Sequence, residues 1–165
     1  MNKILFDTNI YGLLVIDPDR KEIHHKIHDS HFFIFGFEII RHELRDTPKH
    51  IVFNNRNLRI DLLSVYDDLV KKTYTFDQTI HTLAEHYFKA YQGFGGGISK
   101  SDIFPDFCIV ACASQKQLDI VVSEDKHSLL TENALKAYQL VNDIKKIRTP
   151  NFLRYAEFKK QILSL

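Results

Sequence analysis

Four acids in this 165-residue chain stand where a folded sheet could gather them. Asp7 ends the apolar run Ile4-Leu5-Phe6, and Thr8 and Asn9 follow it. Glu43 lies in the stretch FEIIRHELRD at 37–46, and Asp106 opens an apolar segment behind Pro105. Asp125 comes just after Asp119-Ile120-Val121-Val122-Ser123. Carboxylates brought close together repel and raise each other's pKa unless a cation neutralises them. An oxygen-only ligand set suits Mg²⁺ or Mn²⁺, which keep bound water and accept phosphate oxygens. A cation held in this way can activate water and stabilise charge on a phosphoryl group, so the pattern points to phosphodiester hydrolysis. Asp7 taken alone has a second reading. Asp, Thr and Asn are all helix-capping residues, and it could simply cap the next helix.

These acids need a scaffold, and the periodicity predicts one. Residues 3–7, 31–35 and 119–123 read as strands buried on both faces, with a last short strand at 147–150. Between them come an apolar turn or short helix at 9–16 and helices at 18–29, 37–46, about 57–72 and about 77–91. Others follow at 105–117, 127–130, about 132–146 and about 151–163. Asp17 is the expected cap of the helix at 18–29, and Pro105 the expected start of the one at 105–117. Strands alternating with helices predict a three-layer α/β/α fold, in which a central, mostly parallel sheet is covered on both faces. A carboxylate at the end of such a strand sits at the sheet's carboxyl edge, where open α/β sheets place their chemistry. Asp7 and Asp125 should project from that same edge.

Composition sets the outer limits. The length suits one domain over 1–165. Hydrophobic content of 44% supports a core, and six Gly and four Pro argue against disorder. A formal net charge of +1 excludes a strongly basic, non-specific nucleic-acid binder. Cys108 and Cys112 lie four apart in an apolar helical pattern and read as small buried hydrophobes in a reducing, intracellular compartment. No run approaches the roughly 20 apolar residues of a membrane span, and Met1-Asn2-Lys3 leads straight into an acid-containing strand, so no signal peptide is expected.

At this point the sequence resembles the PIN-domain family. The matching stretches are ILFDTNIY at 4–11, HEL at 42–44, PDFCIVACA at 105–113 and VVSED at 121–125, with RTPNFL at 148–153 near the end. The resemblance spans essentially the whole chain, and the four acids follow the family's order of Asp, Glu, Asp, Asp. It implies a PIN-like fold and a Mg²⁺- or Mn²⁺-dependent ribonuclease. Small stand-alone members are often VapC-type toxins of prokaryotic toxin–antitoxin pairs. Carried over by position, Asp7, Glu43, Asp106 and Asp125 are the metal-binding acids, and Thr8, Asn9 and Ser123 orient them. The implied partners are an RNA substrate and a small antitoxin protein, in the cytoplasm. Two departures stand out. The family often has Phe three residues after its last Asp, where this chain has Ser128, and Ser123 stands where a Thr is frequent.

Competing residues and readings remain. Glu38 and Glu43 are five apart, about 140° around a helix, so both cannot face one site squarely. Glu43 is preferred because it precedes Leu44 as in the family pattern. Asp102 could join the set, but the Pro105 start puts it in a loop. His24 and His28 share a helix face at four-residue spacing, and with no matching third ligand they read as a solvated face. His42 and His127, next to Glu43 and Asp125, could touch substrate. Arg41, Arg45, Lys100 and Lys126 flank the acids and could meet RNA phosphates at a rim. Gly93-Phe94-Gly95-Gly96-Gly97 lacks the Lys-Ser/Thr of a phosphate-binding loop and reads as a flexible connection. The alternative function is a non-catalytic PIN-like module binding RNA or protein. A phosphoacceptor receiver lacks its Lys after the last strand, and a haloacid-dehalogenase-type phosphatase would need a second Asp at Asn9. The apolar stripes at 57–72 and 77–91 need a partner face, internal or from a homodimer.

Overall fold

The computed structural model describes residues 2–165. The chain builds a five-stranded sheet in the order β5-β2-β1-β6-β7, from β1 (Asn2–Phe6), β2 (Phe32–Phe37), β5 (Val70–Tyr74), β6 (Ile120–Val122) and β7 (Asn151–Leu153). Every pairing in it is parallel. Two groups of helices cover its faces. One contains α1 (Thr8–Ile16), α2 (Arg20–Asp29), α4 (Leu58–Leu69) and α8 (Tyr155–Leu163); the other contains α5 (Gln78–Gly93), α6 (Lys100–Gln115) and α7 (Glu132–Lys145). The helix α3 (Glu38–Arg45) packs on α4 and also reaches α6. This is the three-layer α/β/α architecture expected from the alternating pattern.

β1 lies at the centre, paired with β2 on one side and β6 on the other. Ile4, Leu5 and Phe6 are fully buried, as two-face burial demands. The chain winds outward from β1 in both directions, so the β1/β6 boundary is the topological switch point. In open parallel sheets the crevice at the carboxyl ends there takes the ligand.

Several elements differ from the sequence expectation. α4 stops at Leu69 and the chain turns at once into β5, which the apolar pattern reads as more helix. β5 is an edge strand with Lys71 and Lys72 exposed, so it carries little hydrophobic signal while guarding the edge. A small hairpin, β3 (Val52–Phe53) and β4 (Arg56–Asn57), turns through Asn54 and Asn55 at φ 50° and 61°. Asn tolerates that left-handed conformation, and the Asn-Asn pair was the available signal. Asp19 rather than Asp17 stands at the N-cap position of α2, without a side-chain cap bond, and Asp17 closes α1 instead. The 127–130 stretch is a run of turns, and the last strand and helix begin later than expected, at Asn151 and Tyr155. The apolar stripes of α4 and α5 find their partners inside the chain: Leu62, Val65 and Leu69, and Ile80, Leu83, Ala84 and Tyr87, are all buried.

Candidate metal centre

Asp7 is anchored first by backbone. Its N–H donates to the Val122 carbonyl at 2.9 Å, extending the β1–β6 ladder to the strand end. Its side chain caps α1, with Oδ1 accepting from the Thr8 N–H at 2.7 Å. Oδ2 accepts from Ser123 Oγ at 2.6 Å and from Asn9 Nδ2 at 2.9 Å. Asp7 is therefore the cap of α1 through Oδ1, while Oδ2 is held by Ser123 and Asn9. Asp7 is 4% exposed, and all its donors are neutral. Burial raises its pKa, and the Asp125 charge adds to that against the lowering effect of the three hydrogen bonds.

Glu43 reaches the same place from α3. Ile40 and Leu44, one turn apart, bury the inner face of this helix. Glu43 is exposed at the rim yet accepts a hydrogen bond from the Thr8 hydroxyl, and its pKa is raised by partial desolvation of the carboxylate and by the Asp7 and Asp46 charges. Glu38 is engaged elsewhere, its Oε1 accepting from the Phe76 N–H at 2.5 Å, which ties down the chain just past β5.

Asp106 sits in the second turn of α6, because that helix begins at Lys100 and carries Pro105 inside it. Asp102 is consequently in the first helical turn, not a loop, and accepts from Ser99 Oγ at 2.6 Å. Burial pushes the Asp106 carboxyl up to about 7, and the charges of Asp7, Asp125 and Glu43 act in the same direction.

Asp125 lies in the loop after β6. Its Oδ1 accepts from the N–H groups of His127 at 2.9 Å and Ser128 at 3.0 Å, and its own N–H donates to Ser123 Oγ at 3.0 Å. Burial works to raise its pKa, but the Ser128 hydroxyl and the two amides outweigh it and hold the carboxyl below the usual range. Ser123 is fully buried and joins Asp7 to the Asp125 backbone. Asn9 does parallel work, donating to Asp7 and accepting from the Glu124 N–H at 3.3 Å.

The four acids thus come from four elements and act on one another at one edge of the sheet. The other charges acting on Asp7, Glu43 and Asp106 are also carboxylates. Hydroxyls from Thr8, Ser123 and Ser128 stand at the carboxylates, and among the described residues no three Asp, Glu, His or Cys side chains already converge at metal-ligand spacing. Sequence reasoning missed Ser128, whose hydroxyl bridges Asp106 and Asp125. It also missed a brace behind the loop, where Glu124 accepts from the Tyr155 N–H at 2.8 Å and pairs with Arg154. Two of the four flanking cations are spent locally, Arg41 on Asp67 at 3.2 Å and Lys100 on Glu85 at 2.5 Å. His24 and His28 both face Asp68 Oδ2, at 3.1 and 3.3 Å, and link α2 to α4.

No family model and no curated protein matches the sequence. Its fold does match solved structures. One is VapBC2 from Rickettsia felis bound to a DNA fragment from the promoter, with a TM-score of 0.56 and 10% identity over 93% of this chain and 98% of that one. A second is FitAB bound to an IR36 DNA fragment, with a TM-score of 0.56 and 17% identity over 92% and 94% of the two chains. A third is FitAcB from Neisseria gonorrhoeae, with a TM-score of 0.53 and 21% identity over 79% and 92%. At these identities the likeness is one of fold, and it is the PIN-like fold implied by the sequence motifs. Among the described residues no helix is long and apolar enough to cross a membrane.

Proposed function

We propose that this chain is a divalent-metal-dependent endoribonuclease, with Asp7, Glu43, Asp106 and Asp125 as its metal-binding acids. The observation that carries the reading is their convergence at the switch-point edge, where Ser123 joins Asp7 to the Asp125 backbone, Thr8 meets Glu43 and Ser128 links Asp106 to Asp125. Asp7 is buried and Asp106 and Asp125 are half-buried, and holding such carboxylates together without a counter-charge is costly. A hard cation would remove that cost, and the all-oxygen donor set fits Mg²⁺ or Mn²⁺. When bound, such an ion supplies an activated water and stabilises charge developing on a phosphoryl group.

The chain's own part is to hold the acids in place. Thr8 orients Glu43, while Ser123 and Asn9 fix Asp7 and reach across to the 124–125 backbone. Such outer partners orient metal-binding carboxylates. RNA as the substrate rests on the family resemblance of the four motifs.

The proposal includes a small antitoxin as partner and a cytoplasmic setting. The antitoxin rests on the family resemblance, and structures of the same fold include VapBC2 and FitAB, each bound to a DNA fragment. This chain carries an apolar groove of about 760 Å³, lined by Leu13, Ile16, Val52 and Leu58, and it reaches Asn9 and Glu124 beside the acids. Ile16 and Val52 are 54% and 61% exposed, and contiguous exposed aliphatics of this kind mark protein interaction sites.

Cleavage of a structured RNA by the purified protein with Mg²⁺ or Mn²⁺ tests the reading, beside Asp7→Asn and Asp106→Asn. Loss of cleavage in both variants supports it. Equal cleavage by wild type and variants sinks the catalytic assignment and leaves the non-catalytic binding module.

A further inference from the structure

Ser128 stands at a position that the sequence pattern leaves outside the site. Its hydroxyl lies between two acids from different elements, Asp106 of α6 and Asp125 of the β6–α7 loop, and hydrogen-bonds with both. A serine hydroxyl has one proton to give and two acceptor lone pairs. Held between two carboxyl groups, it links them instead of serving either alone.

The placement of Ser128 is enforced from both sides. On one side its N–H donates to Asp125 Oδ1 at 3.0 Å, closing a tight Asx turn with His127. On the other, its carbonyl accepts from Thr131 Oγ1 at 3.0 Å, and Thr131 in turn caps α7. The next carbonyl, that of Leu129, accepts from the buried Tyr138 hydroxyl at 3.1 Å, and the Leu129 side chain is fully buried. The loop therefore has little freedom to carry the Ser128 hydroxyl elsewhere.

We propose that Ser128 is a positioning residue of the metal centre, setting the spacing of Asp106 and Asp125 so that both carboxylates present an oxygen to one cation. This rests on the metal-centre reading above. An apolar side chain at this position would remove the hydroxyl that stands between the two acids, and their spacing would then be set by mutual repulsion.

The test is Mn²⁺ affinity of the full chain, read from the free-ion EPR signal, with folding checked by circular dichroism. Ser128→Ala should weaken Mn²⁺ binding about 10- to 100-fold, the range for lost outer partners of metal ligands. Ser128→Thr, which keeps the hydroxyl, should recover most of it. Wild-type affinity in a folded Ser128→Ala protein overturns the proposal, as does equal weakening in the Ala and Thr variants. Asp106→Asn separates the two levels. If it abolishes Mn²⁺ binding while Ser128→Ala is silent, only the role of Ser128 falls. If Asp106→Asn binds like wild type, the metal-centre reading and the role of Ser128 fall together.

Discussion

Ser123 and Asp7 lie 116 positions apart in the chain and share a 2.6 Å hydrogen bond at the adjoining ends of β6 and β1. It is the side-chain continuation of the β1–β6 ladder. A carboxylate 4% exposed depends on each donor it has. Ser123→Ala leaves an Asp7 oxygen with one fewer partner and frees the Asp125 amide from its acceptor. We expect a loss of about 1–3 kcal/mol of stability, the cost of an unmade bond to a buried charged group. Urea denaturation checks this, and an unchanged midpoint would contradict it.

Asp106 makes the protein's stability fall as pH rises, in the absence of a divalent cation. Its folded-state pKa is about 7, above the ordinary carboxyl value of 3.8, so the folded state holds the proton more tightly than the unfolded chain. Stability from this group is fully present below about pH 4 and is lost as pH climbs toward 7. At 1.36 kcal/mol per pKa unit the ceiling is on the order of 4 kcal/mol. Asp125 has the opposite sign: its lowered pKa contributes stability above about pH 4 that disappears in stronger acid. Denaturation in EDTA between pH 4.5 and 8 should show the decline, and Asp106→Asn should make it shallower, leaving the smaller part that the raised Asp7 and Glu43 carboxyls contribute. A pH-independent wild type would rule this out.

A cation should reverse that decline. Binding to the folded state alone stabilises by mass action, and the ligands must be deprotonated to bind. Mn²⁺ is therefore expected to raise the melting temperature more at pH 8 than at pH 5.5. At one hundred times the dissociation constant the gain is about 2.7 kcal/mol. Asp7→Asn should respond little at either pH. Differential scanning fluorimetry with and without EDTA reads both, and an equal rise in wild type and Asp7→Asn would place the ion elsewhere.

The central strands, and the acids that follow two of them, were legible in the sequence for one physical reason. Strands buried on both faces read as unbroken apolar runs, and Ile4-Leu5-Phe6 and Ile120-Val121-Val122 are such runs, followed by Asp7 and Ser123. β5 was illegible because an edge strand needs little apolar surface, and Val70-Lys71-Lys72 continues a helix without a Gly or Pro break. The start of α6 was misplaced because Pro105, favoured at a first turn, here falls at the sixth helical position. Ser128 stood out in the sequence only as a departure, and its contact with Asp106 was illegible for another reason. Its role comes from α6 lying against the loop after β6, a long-range contact that no local pattern encodes.

Gly36 offers a prediction away from the acids. A Cβ built there would meet the Tyr66 hydroxyl at 2.0 Å, its ring carbon Cζ at 2.6 Å and Val70 Cγ1 at 2.8 Å. The Tyr66 hydroxyl cannot simply move away, since it hydrogen-bonds Thr73 Oγ1 at 2.8 Å and so helps hold β5 against α4. Gly36→Ala forces this packed corner apart, and overpacking of that kind typically costs about 1–3 kcal/mol. Tyr66→Phe removes the nearest clashing atom but also the bond to Thr73. The two changes meet at one point and should not add. The double variant is expected to be less destabilised than the sum of the two singles by more than about 0.5 kcal/mol, the mark of residues in contact. Denaturant midpoints of the four proteins give the coupling, provided their slopes agree. Strict additivity would mean that β2 and β5 part without disturbing Tyr66.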